Sequence, residues 1–198
     1  MTALPPIGQS WLTQDSLVVA PLLLGCTLVS HANGHTTGGL IVEVEAYRGH
    51  LDPASHAYGP KSPRNSPMYE SAGTLYVYRS YGIHACMNIV TGGTGDPQAI
   101  LLRALEPTIG LSAMQERRST DVATNLASGP GKLCEALGVT LELSGTRLGG
   151  AVELWPRKVP LNTQQIMTGP RIGITKAVTQ PWRFYLKNSP YVSGRRKF

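Results

Sequence analysis

The run Leu40-Ile41-Val42-Glu43-Val44-Glu45-Ala46-Tyr47 constrains the fold most. Its β-branched and apolar residues alternate with others at period two, the pattern of a β-strand. On strict alternation Ile41, Glu43, Glu45 and Tyr47 share one face, and Leu40, Val42, Val44 and Ala46 share the other. The second face is core. The first carries two carboxylates and an aromatic ring on a stiff element, a good place for an accurately held reactive group. The octapeptide also suits a half-exposed strand with a solvated acidic face, so its neighbours must decide.

The chain has 198 residues, 41% hydrophobic and 15% charged, which is ordinary globular composition for one domain spanning 1–198. Its 22 glycines and 15 prolines favour a turn-rich fold of short strands over a helical bundle. A net charge of +6 and the basic stretch Gly194-Arg195-Arg196-Lys197-Phe198 favour a polyanionic partner. Residues 1–10 read as a flexible leader and 194–198 as a basic tail. Cys26, Cys86 and Cys134 are odd in number and lack a CxxC pair, which argues against a disulfide scaffold or zinc cluster and suits a reducing cytosol. The start lacks the pattern of a signal peptide, and the longest apolar run, 17–24, is too short to span a bilayer. A cytoplasmic protein without membrane attachment is expected.

Along the chain, 10–24 has helical character with Asp15 or Ser16 as cap, although Pro21 interrupts it. Strand-like runs at 26–30 and 37–47 flank Asn33-Gly34, a hairpin signal. Residues 48–71 are polar and rich in Pro, Gly, Ser and His, a length of irregular chain that is usually functional or disordered. Strands follow at 74–78 and 84–90, joined through Arg79-Ser80-Tyr81-Gly82 with an aromatic at the tip, and another at 99–105, broken by the single charge Arg103. A helix is predicted over 108–118 and another over 133–137, closed by Gly138. Strands are predicted at 148–155 and 171–174, and no internal repeat is visible.

Glu45 beside Tyr47, on a face that Tyr78 and His56 could reach, would occupy an aromatic slot. Desolvation there would raise its pKa and make it a competent general base. Flat rings together also box a flat ligand such as a purine or pyrimidine, although most tyrosines are simply amphipathic core residues. Arg103 in an apolar strand needs an anionic partner, for which Glu45 or Glu43 is the natural choice. Tyr81 at a hairpin tip near Arg79, with Ile83 and His84 beside it, suits a wedge between base steps. Asn88 could read a base edge or hold a turn. His31, His35, His50 and His56 lack the spacing of a metal site. Ser128-Gly129-Pro130-Gly131-Lys132 lacks the P-loop spacing, but amides at a helix start could touch a DNA phosphate.

Taken in order, these segments resemble the alkyladenine (3-methyladenine) DNA glycosylase family of mammals and many bacteria. The resemblance rests on Ile41 through Tyr47, Ser62-Pro63-Arg64-Asn65, Gly73 through Tyr78 with Tyr81-Gly82, and Cys86-Met87-Asn88-Ile89. It continues through Leu101-Leu102-Arg103-Ala104-Leu105-Glu106-Pro107, Ser128-Gly129-Pro130 with Lys132-Leu133-Cys134, and Arg183-Phe184-Tyr185. It implies a mixed α/β (α+β) domain around a curved, largely antiparallel sheet, with a hairpin that enters the minor groove of double-stranded DNA. It implies no cofactor or metal, and a monomer suits the task. By the same resemblance Glu45 activates the attacking water and Arg103 helps to hold it, while Tyr47, His56 and Tyr78 stack around an everted base. Asn88 walls out guanine's 2-amino group, and Tyr81 fills the gap in the duplex. Ile83, His84, Arg64 and Lys132 complete the expected DNA contacts. Ile83 and His84 differ from the bulky residues of other members, and 119–127 is shorter than in mammalian relatives, as expected of a bacterial-type member. A catalytically silent lesion binder and a hydrolase of free nucleosides are the competing readings.

Overall fold

The computed structural model describes residues 9–194. The expected leader lies outside the described residues except for Gln9 and Ser10, and the expected basic tail except for Gly194.

Among the described residues eight strands form a curved, antiparallel sheet, with helices packed against it. β1 (Thr27–Ser30) and β2 (Thr37–Tyr47) make the expected hairpin around Asn33-Gly34, with Asn33 in the left-handed region at φ 57°. β3 (Leu75–Ser80) and β4 (His84–Thr91) make the second hairpin, and β5 (Gln98–Ile109) pairs with both β4 and β2. β2 is the hub. One of its edges is taken by β5, while the other is shared by β1 at residues 37–40 and by β8 (Arg183–Leu186) at residues 43–45. β6 (Val152–Trp155) extends the sheet beyond β1, and β7 (Ile166–Gly169) pairs with β8.

Among the described residues four α-helices accompany the sheet. α1 (Ser16–Leu23) buries Val19, Ala20 and Leu23 and is capped by Asp15, whose carboxylate accepts the Leu17 amide at 2.9 Å. It keeps Pro21 inside, so apolar burial outweighs the lost hydrogen bond, although the helix is shorter than 10–24. α2 (Leu111–Arg118) starts three residues later than expected because the β-branched pair Thr108 and Ile109 extends β5 until Gly110 turns the chain at φ 68°. α3 (Ala123–Leu126) is one turn. α4 (Pro130–Leu137) packs on β4 and β5 and ends on Gly138 as expected. Two further corrections concern strands. β6 begins at Val152, not at 148, and residues 171–174 are irregular; the strand in that region is β7. Among the described residues no helix is long and apolar enough to cross a membrane.

Strict alternation along β2 also fails, at one informative point. Ile41 opposes Leu105 and Glu43 opposes Ala104, so Val42 is an extra residue; Val44 then opposes Leu102, so Arg103 is an extra residue on β5. These paired bulges shift the parity of both strands. Ile41 therefore packs in the main core with Val44 and Ala46, while Glu43 and Glu45 keep the opposite face.

The β2–β5 contact is close at Gly39, beside a further register shift between Gly38 and Gly39. A Cβ on Gly39 would lie 2.1 Å from the Glu106 carbonyl oxygen, backbone that cannot yield. Gly39→Ala should therefore cost about 1–3 kcal/mol of stability. Urea unfolding should show a lower midpoint; an unchanged midpoint would mean that the strands are not in this contact.

Candidate active site

The two carboxylates of β2 are fully buried, not solvated. Glu43 and Glu45 have 0% exposure. Burial of charge is tolerable only with counter-charge and hydrogen bonds, and both are present. Arg103, carried inward at its bulge, places Nε 3.0 Å from Glu43 Oε1 and Nη1 3.1 Å from Glu45 Oε1. Glu43 also accepts from Arg183 Nε at 2.7 Å and from the Ser193 amide and hydroxyl at 2.5 and 2.9 Å. Glu45 accepts the Tyr47 hydroxyl on Oε2 at 2.9 Å and the Ile172 amide on Oε1 at 2.7 Å. A carboxylate has about four acceptor positions; among the described residues, one on Oε2 is left open.

Glu45 does not itself line the cavity beside it, but its partners Tyr47 and Arg103 do. The cavity has a volume of about 730 Å³. One wall is the loop after β2 with Pro53, Ala54, Ser55 and His56; another is β3 and β4 with Tyr76, Tyr78 and Asn88; a third is the irregular stretch from Ile172 to Lys176. The Tyr76 and Tyr78 rings stack at 5.5 Å and 24°, and the His56 ring meets Tyr78 edge-on at 4.5 Å and 80°. The Tyr47 ring, also on the lining, is backed by the Arg171 guanidinium at 4.5 Å. Asn88 is buried and donates from Nδ2 to the Tyr76 carbonyl at 3.0 Å.

The ring hydroxyls stay protonated. Burial, and after it the Glu45 carboxylate, pushes the Tyr47 hydroxyl far above its ordinary value. Burial does the same for Tyr78, and it raises Tyr76 to about 12 although the Arg64 guanidinium beside it pulls the other way. Tyr47 is thus a permanent donor to Glu45 at neutral pH.

At the rim, the β3–β4 hairpin presents Tyr81 at its tip, 85% exposed and at φ 50°, with Ile83 73% exposed and His84 exposed beside it. Arg64 is exposed at the cavity mouth. Lys132 is half-buried at the start of α4, where its ammonium donates to Asn125 Oδ1. The same helix start meets the hairpin, since a Cβ on Gly131 would come within 2.9 Å of His84 Cβ.

Residues 10–190 match the family model of methylpurine-DNA glycosylase. The chain belongs to that family. Relatives agree over nearly the whole length. A Methanoculleus marisnigri protein whose name carries the words 3-methyladenine DNA glycosylase is 53% identical over 186 residues, covering 92% of this chain and 95% of its own. Similarly named proteins of Rhodopseudomonas palustris and Carboxydothermus hydrogenoformans are 50% and 44% identical, each over 96% of this chain and over 90% and 99% of their own. Family membership makes this a DNA-repair glycosylase, a hydrolase of N-glycosyl bonds with DNA as its substrate.

Every site residue expected of such a glycosylase lies at the cavity, against its lining or on its rim, except Lys132, which lies beside Asn125 at the foot of α4. Sequence reasoning missed Tyr76, although it shares the parity of Tyr78 on β3 and its hydroxyl meets His56 Nδ1 at 2.9 Å. It also missed Asp52, Arg171 and the wall from Ile172 to Lys176, which no periodic pattern marks.

His56 is exposed as a residue, yet its ring lies against Tyr76 and Tyr78; burial, then the Arg64 charge, lowers its pKa from 6.5. The unfolded chain therefore takes up this proton first as pH falls. The contribution of neutral His56 is complete above pH 6.5 and is lost as pH drops below it. The stability difference between wild type and His56→Gln should narrow from pH 7.5 to pH 5.5, about one unit either side of the reference value. A difference that widens on acidification would reverse the assigned direction.

Proposed function

We propose that this glycosylase turns an alkylated or deaminated purine of the 3-methyladenine, 7-methylguanine or hypoxanthine type out of duplex DNA and hydrolyses its N-glycosidic bond at Glu45. The observation that carries this reading is the contact of one buried carboxylate with Tyr47 and Arg103, both of which line an aromatic-walled cavity. The open acceptor position on Glu45 Oε2 takes the proton of a water that attacks C1′. The C1′–N bond breaks, its electron pair leaves with the purine, and an abasic sugar remains. Arg103 helps to hold the attacking water. Tyr47 on one side and His56 with Tyr78 on the other grip the purine, with a main-chain amide near His56 as donor to it. Asn88, fixed by its bond to the Tyr76 carbonyl, excludes guanine's 2-amino group.

The magnitudes are compatible. Extrusion of a base costs a few kcal/mol, and each aromatic stack returns about 1–3 kcal/mol. Tyr81, with Ile83 and His84, fills the vacated stack, and Arg64 and Lys132 contact phosphates. An alkylated purine that carries positive charge leaves readily, so part of the discrimination is chemical. A general base supplies roughly 10²–10⁴-fold; orientation and stabilisation of positive charge on the sugar supply the remainder. The chain works as one monomeric domain in the cytosol, where its free buried thiols Cys26, Cys86 and Cys134 stay reduced.

Glu45→Gln should bind a hypoxanthine duplex as tightly as wild type and excise the base at least about 10²-fold more slowly in single-turnover assays. Wild-type excision by that variant would remove Glu45 from the chemistry.

A further inference from the structure

The chain leaves the sheet after β7 and returns at β8 through residues 170–181, a stretch without regular structure. Arg171 is the one buried residue in that stretch. Its guanidinium makes a two-pronged bond to Asp52, at 2.5 Å from Nη1 to Oδ2 and 2.8 Å from Nη2 to Oδ1, with both side chains fully buried. Nη1 also donates to the Ala46 carbonyl at 3.0 Å, and the group is flanked by the Tyr47 ring at 4.5 Å and the Trp182 ring at 5.0 Å. The far end of the stretch is fastened to the same residue, since the Ala46 amide donates to the Trp182 carbonyl at 2.9 Å.

Two consequences follow for the site. The residue next to Arg171 is Ile172, whose amide donates to Glu45 Oε1. Asp52, in turn, anchors another wall: its Oδ1 accepts the Ala54 amide at 3.0 Å, two residues before His56. One buried ion pair thus ties together the donor that orients the carboxylate, the cation behind Tyr47 and the loop that carries His56.

We infer that Arg171 and Asp52 are positioning residues for excision, which hold the Ile172 amide against Glu45 and fix the distance between two walls of the cavity. A solvent-exposed loop could not keep that amide in place by itself. Arginine suits the position because its planar fork bonds carboxylate with two prongs while its faces stack on rings. Neither residue lines the cavity, and the pair acts through Glu45, Tyr47 and His56. This inference rests on Glu45 being the base.

The test must separate positioning from folding, because removing one partner alone strands a buried charge. Asp52→Asn with Arg171→Met removes both charges, keeps the Oδ1 acceptor for Ala54 and fills the space between the two rings. With wild-type melting and duplex affinity, single-turnover excision should fall about 10²-fold, the effect of a displacement on the order of 1 Å. Amide exchange at 172 should be slower than at 173, 175 and 176 in wild type and should become fast in the variant. A folded double variant with wild-type excision overturns the inference, as does a loss of excision matched by an equal loss of duplex binding. If the double variant does not fold, Arg171→Lys keeps the charge against Asp52 without the fork, and the same split decides. Glu45→Gln measured alongside separates the two failures. Only if that variant also excises normally does the base assignment fall too.

Discussion

The guanidinium of Arg103 is shared by two buried carboxylates, and the rest of the site is arranged around that sharing. Two adjacent buried carboxylates need counter-charge of this kind. Arg183 adds a second cation to Glu43, and Arg171 matches Asp52, so three guanidiniums answer three carboxylates in one contiguous region. The sheet accommodates this charge through its irregularity. Bulges at Val42 and Arg103 re-aim side chains on two neighbouring strands, so that core residues lie behind and ionic ones in front. A regular β2–β5 ladder would have put Ile41 beside Glu43.

Rigidity and exposure are divided between the ends of the site. Glu45 lies on the most heavily paired strand of the sheet, between β5 and β8. Two of the cavity walls are loops held by specific polar contacts, and the hairpin tip carrying Tyr81 projects into solvent. That division suits the proposed reaction, in which a reaching element distorts DNA while the bond to be cut is held against a well-paired strand.

Much of this was legible in the sequence where local rules dominate. Alternation marked β2 to β5, Asn33-Gly34 marked the first hairpin, and Gly138 marked the end of α4. Arg103 announced an acidic partner because a guanidinium in an apolar run has few other solutions. Two failures share a cause. Period-two reasoning assumes an unbroken ladder, so it misplaced Ile41 across the bulge and read the alternating Ile172 and Ile174 as a strand. The helix over 108–118 was set too early because Thr108 and Ile109 follow the sheet until Gly110 permits the turn. Asp52 and Arg171 are separated by 119 positions, and no local signal connects a carboxylate in one loop to a guanidinium in another.

A crystal structure of the Glu45→Gln protein bound to a duplex with one hypoxanthine examines the arrangement directly. The purine should lie in the cavity between Tyr47 and the His56–Tyr78 pair, with its anomeric carbon turned toward residue 45 and Arg103 and the Tyr81 ring in the vacated stack. A purine still paired within the duplex, or an anomeric carbon facing away from residue 45, would contradict the placement of the chemistry on this strand.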